Sequence, residues 1–109
     1  MRVYVSFPYG RRRCLSEAEC EANVYKAIEV GRKLIERGHN PFIPTLFHFL
    51  HSGWASSPGE DVWMALVTDW LIDCDALLVA GEISRGVQRE IDLAKFYDIP
   101  IYYKIEEIK

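Results

Sequence analysis

The sequence predicts an α/β protein, a three-layer α/β/α sandwich built on a parallel sheet of four to five strands. Short apolar runs alternate along the chain with longer amphipathic ones, the order expected of strands joined by crossover helices. The run Ala76-Leu77-Leu78-Val79-Ala80 is apolar without a break, as a strand covered on both faces requires. At 109 residues the chain is too short to divide between two cores, so one domain spanning 1–109 is expected.

Arg2 to Phe7 alternates as a first strand, with Val3, Val5 and Phe7 on one face and Tyr4 and Ser6 on the other. A loop from Pro8 to about Leu15 follows, then Ser16 with Glu19 three residues on, the capping-box pattern of a helix start. That helix ends at Arg37-Gly38, and Val24, Ala27, Ile28, Gly31, Leu34 and Ile35 form its apolar stripe. Asn40 to Ile43 is a second strand, kept to an edge or a strand end by Pro41 and Pro44. Thr45 to Gly59 crowds aromatic residues and histidines into a segment too long for an ordinary connection, which suits a lid or an interface. Glu60 and Asp61 open a helix to about Asp73, with Val62, Ala65, Leu66, Asp69 and Ile72 along its inner side. Asp75 to Gly81 is the third strand, Arg85 to Tyr97 a third helix, and Ile99 to Tyr103 the fourth strand, before a charged tail of Lys104 to Lys109. Right-handed crossovers then give the strand order 2-1-3-4, a flavodoxin- or Rossmann-like arrangement with its ligand crevice between strands one and three.

Composition narrows the function classes. Half of the residues are hydrophobic, 27% are charged, and the longest apolar runs fall well short of the roughly 20 residues that a membrane span needs. The first residues lack a signal-peptide layout, so a cytoplasmic protein without a membrane partner is expected. A net charge of −3 gives no general attraction to polymeric nucleic acid, although Arg11-Arg12-Arg13 is a local cluster able to meet a small anion. Cys14, Cys20 and Cys74 are odd in number and unpaired in spacing, which argues against a disulfide framework and a zinc site. His39, His48 and His51 are not spaced as a metal set, and loop histidines more often cap or face water, so no metal is assigned.

The crevice carries the candidate chemistry. Ser84-Arg85-Gly86-Val87-Gln88-Arg89-Glu90 follows the third strand, so Glu90 stands near the start of the next helix beside the crevice, as a nucleophile or as an acid that the helix dipole favours. Ser84 and Gly86 suit a phosphate cradle or an ordinary helix start. Asp69 either reaches the crevice or pairs near its helix end, and Tyr4 is either packed in the sheet or part of the site. Trp54, Trp63 and Trp70 fit the core or a subunit interface better than a base-stacking platform.

Three segments go further. Val3-Tyr4-Val5-Ser6 with Pro8-Tyr9-Gly10, Gly38-His39-Asn40-Pro41-Phe42-Ile43-Pro44, and Cys74-Asp75-Ala76-Leu77-Leu78-Val79 followed by Ser84-x-Gly86-x-x-x-Glu90 together resemble the nucleoside 2-deoxyribosyltransferase-like superfamily. The resemblance spans nearly the whole chain. It implies cleavage of an N-glycosidic bond, or deoxyribosyl transfer, on a nucleoside or its 5′-monophosphate through a covalent glycosyl-enzyme intermediate. Glu90 is then the nucleophile, Tyr4 orients it and Asp69 assists, while Ser6, Pro8, Tyr9, Gly10, Ser84, Arg85 and Gly86 contact substrate. Ser84 stands where the monophosphate hydrolases have a phosphate-contacting serine, which tilts the expectation toward a hydrolase. The family's second carboxylate aligns nearer Val67 than Asp69, so a non-catalytic nucleotide-binding or sensing module of the same fold is the alternative. No cofactor is implied, and a homodimer or larger assembly is expected. A flavin-binding reading would need a Ser/Thr-rich phosphate loop after the first strand, which this sequence lacks.

Overall fold

The computed structural model describes residues 1–9 and 16–109. Its elements are β1 (Arg2–Ser6), α1 (Glu17–Glu36), β2 (Asn40–Phe42), a 3-10 turn at Pro44–Phe47 running into the short helix α2 (His48–His51), α3 (Glu60–Leu71), β3 (Ala76–Val79), α4 (Arg85–Phe96), β4 (Ile101–Tyr102) and a closing 3-10 turn at Ile105–Glu107. The four strands form one parallel sheet in the order β2-β1-β3-β4. Tyr4 faces Phe42 on one side and Leu77 on the other, and Ser6 faces Val79.

Period-two alternation divides the core between the faces of the sheet. Val3 and Val5 pack with Leu34 of α1, Leu78 and Ile108 on one face. Tyr4 packs on the other with Leu77 and Val79, Leu71 of α3, and Val87, Ile91 and Ala94 of α4. One layer thus holds α1 and the other holds α3 and α4, which is the expected three-layer sandwich. Every residue of β3 is buried, as its unbroken apolar run requires.

The α1 start is the capping box read from the sequence: Ser16 Oγ accepts from the Glu19 amide, and Glu19 accepts from the Ser16 amide. Gly38 closes the helix at φ +85, a left-handed conformation that glycine adopts without steric cost. Ile35, expected in the buried stripe, is exposed, because the inner face runs through Cys20, Val24, Ala27, Gly31 and Leu34.

The expected inner side of α3 is the outer one. Val62, Ala65, Asp69 and Ile72 are exposed, whereas Val67 and Leu71 pack on the core. Val62 to Val67 is apolar without a break, so more than one stripe satisfies the helical period there and only tertiary packing chooses between them. The tail departs similarly: Ile108 is fully buried and Arg37 donates to its carbonyl at 2.9 Å, so the last residues close the core instead of trailing as a charged tail.

Gly81, just past β3, lies against the turn that follows β1. A Cβ there would stand 2.9 and 3.1 Å from two ring carbons of Phe7 and 3.1 Å from Pro8 Cδ, all rigid groups. Gly81→Ala is expected to destabilise the fold by about 1–3 kcal/mol through overpacking, read as a lowered urea midpoint at unchanged m-value.

Candidate active site

The carboxyl ends of β1 and β3 open on a cleft of about 1020 Å³. Glu90, in the second turn of α4, stands at its edge and is pinned from the sheet side by two hydroxyls of β1. Tyr4 Oη donates to Glu90 Oε2, and Ser6 Oγ donates to Glu90 Oε1 at 2.7 Å. Both donors are 0% exposed and share one face of β1, two residues apart, so the pleat aims both hydroxyls at the carboxylate. Each carboxylate oxygen accepts one of these bonds and keeps lone-pair capacity toward the cleft.

The surroundings set the protonation of this trio. Burial pushes the Glu90 carboxyl up to about 7; the hydrogen bonds from Ser6 and Tyr4 and the Arg89 guanidinium oppose the rise. Burial, and then the Glu90 charge, hold the Tyr4 phenol well above its ordinary range, so Tyr4 stays a donor. A carboxylate that is costly to ionise and fixed in orientation by buried donors is an unusual solution for a structural residue.

Beside Glu90 lies the start of α4. Ser84 is the N-cap and its Oγ accepts from the Val87 amide at 3.3 Å, leaving the hydroxyl hydrogen available to donate. The first helical amides, those of Arg85 and Gly86, have no partner within the helix, and both residues line the cleft with Ser84. Arg89 also lines it, steadied by a 3.3 Å bond from Nη2 to Thr68 Oγ1 of α3. The combination favours an anionic group at the cleft rim.

The far wall is aromatic. Tyr9, Phe47, His51, Trp54 and Trp63 line it, with the Phe47 and Trp63 ring centroids 5.7 Å apart and those of Trp54 and Trp63 6.5 Å apart. The segment Thr45 to Gly59 is therefore part of the cleft. Trp54 and Trp63, expected in a core or an interface, are wall residues, whereas Trp70 stacks on Phe42 at 5.2 Å. Tyr9 Oη is hydrogen-bonded to His48 Nδ1 and, at 2.8 Å, to His51 Nε2, and its carbonyl accepts from Asn23 at 3.0 Å. These histidines were expected to cap or face water, yet His48 is only 1% exposed.

The structure thus gathers Glu90, Tyr9, Ser84, Arg85 and Gly86 around one cleft, with Tyr4 bonded to Glu90 from behind. Three candidates fall differently. Ser6 is sealed beneath Glu90 and acts on the carboxylate, so it does not face a ligand, and Pro8 is buried outside the cleft lining. Asp69 is exposed on the outer side of α3 and does not meet Glu90, because the buried stripe of that helix is shifted by one residue. Gly10 and the Arg11–Arg13 cluster lie outside the described residues.

Fold and site together define a parallel α/β protein with a hydroxyl-held glutamate at the switch point of its sheet. The chain belongs to the family described as a domain of unknown function (DUF7768), whose model matches residues 1–104 and so takes in every strand and all of α4. No curated protein matches it. Among the described residues no helix is long and apolar enough to cross a membrane.

Proposed function

We propose that this protein cleaves the N-glycosidic bond of a deoxynucleoside or its 5′-monophosphate, with Glu90 as nucleophile. The observation that carries the reading is the Glu90 carboxylate, gripped through both oxygens by the buried Tyr4 and Ser6 hydroxyls at the edge of a cleft. One oxygen attacks the anomeric carbon, a C–O bond forms, the C–N bond breaks, and its electron pair leaves with the base, which gains a proton. Water then attacks the same carbon and releases a proton to the solvent, which balances the one taken up by the base, while the glycosyl ester opens and the carboxylate is restored. The aromatic wall suits the flat base, and the start of α4 suits the phosphate. No step in this sequence needs a cofactor.

The decisive experiment is chromatographic detection of free base from a panel of deoxy- and ribonucleosides and their 5′-monophosphates, wild type beside Glu90→Gln. Base release by the wild type alone supports the reading. Since the nucleophile must be ionised and burial pushes its carboxyl up to about 7, kcat/KM should rise about tenfold per pH unit on the approach to pH 7 from below. A flat profile from pH 5 to 8 would remove Glu90 as the reacting carboxylate.

The exposed position of Asp69 favours a second reading, a nucleotide-binding module without turnover. Calorimetric binding of a nucleotide that is recovered intact would establish it.

A further inference from the structure

Glu90 must ionise to attack, its burial opposes ionisation, and the two hydroxyls that grip it are neutral. A carboxylate in such a place needs a cation nearby. Successive residues of a helix point about 100° apart, so with Glu90 turned to β1 its neighbour Arg89 is turned to α3, on the lining of the same cleft.

Arg89 is anchored from outside its own helix. Its Nη2 donates to Thr68 Oγ1 at 3.3 Å, and the Thr68 hydroxyl donates to the Met64 carbonyl at 2.8 Å. A hydroxyl has one hydrogen, so the bond to Met64 leaves the Thr68 oxygen to Arg89 as an acceptor. Thr68 is neutral, and among the described residues no ion pair joins Arg89 to a carboxylate. The guanidinium therefore keeps its charge toward the cleft. Tyr9, Glu17, His48, His51, Glu60 and Arg85 also line that cleft, and Tyr4 stands behind Glu90. Among the charges around the cleft, that of Arg89 is the one that acts on Glu90, and it favours the ionised carboxylate.

We propose that Arg89 is a positioning residue, the counter-charge of the Glu90 nucleophile, and that Thr68 is the clamp that holds it in place. The nucleophile role rests on the glycosidase reading; the pairing of the two charges does not.

The test is the pH profile of base release, wild type beside Arg89→Met, Arg89→Lys and Thr68→Val, with thermal unfolding to check that each variant folds. Without the cation the carboxylate is harder to form, so kcat/KM of Arg89→Met should lie about tenfold below wild type at pH 6 and come within about threefold of it by pH 9. Arg89→Lys should recover most of the loss at pH 6. Thr68→Val, which removes only the clamp, should show the same convergence more weakly, and it decides the matter if Arg89→Met does not fold. A loss of equal size at every pH, as a substrate contact or a structural role would give, or no loss at any, overturns the counter-charge and leaves Glu90 standing. A second readout needs no turnover. In urea titrations the folding equilibrium constant of Arg89→Met should fall about tenfold further than that of wild type between pH 5 and pH 9, and this extra fall should vanish when Glu90→Gln is added. An extra fall that persists beside Glu90→Gln, or none, overturns the pairing. Base release by the wild type from no substrate, with the extra fall present, overturns the nucleophile reading and leaves the pairing standing.

Discussion

Glu90→Gln is expected to reduce base release by at least about 10³-fold, which corresponds to roughly 4 kcal/mol of transition-state stabilisation. The substitution keeps the shape of the side chain and its capacity to accept from one of the two β1 hydroxyls, so the cleft persists. An amide oxygen is a poor nucleophile toward the anomeric carbon, and no glycosyl ester can form. Tyr4 and Ser6 sit beneath the carboxylate, so neither can replace it by attacking from the cleft side. Rapid-quench measurement of a glycosyl-protein adduct gives the sharper readout. Wild type should accumulate or transiently form the adduct and the variant should form none. A variant retaining a tenth of the wild-type rate would show that another group carries the reaction.

The same substitution should also change how the stability of the folded protein depends on pH. In the folded state the Glu90 carboxyl holds its proton up to about 7, against an ordinary value of 4.5. The folded protein therefore binds more protons than the unfolded chain between those two values, and its stability falls as pH rises through that window. Displacement from 4.5 to about 7, at about 1.4 kcal/mol per pH unit, comes to about 3.5 kcal/mol over the whole titration, most of it between pH 4.5 and pH 8. Glutamine has nothing to ionise and escapes this loss. Relative to wild type, Glu90→Gln should gain about 3 kcal/mol in unfolding free energy on going from pH 4.5 to pH 8. Urea titrations at the two pH values measure this difference directly. A stability difference that does not change with pH would mean that Glu90 ionises as freely in the folded protein as in the unfolded chain.

Legibility of this molecule from its sequence followed how local each determinant was. Strand order and layers were readable because the apolar runs, the capping box at Ser16 and the glycine at Gly38 act within a few residues. Glu90 and its two hydroxyl partners were within reach for a related reason, since alternation along β1 places Tyr4 and Ser6 on one face and the β3 connection brings α4 beside it. The inner face of α3 was not readable, because Val62 to Val67 is apolar without a break and the period has little contrast to report there. His48 and His51 were passed over because their significance lies in bonds to Tyr9, about forty positions earlier. The one available signal was the density of aromatic residues around two histidines three residues apart at 45–59. Ile108 was lost in a run of charges, where a single buried side chain leaves almost no trace in composition.

The pairing of β1 with β3 has a bearing on folding. Tyr4 lies opposite Leu77 and Ser6 opposite Val79. A slip of one residue along β1 would turn Val3 and Val5 toward Glu90 and drive both hydroxyls into the apolar layer under α1. Misregistered chains would thus lose the grip on the carboxylate and the core at a single stroke. Recovery of the proposed base release after dilution from denaturant should then keep pace with burial of the sheet.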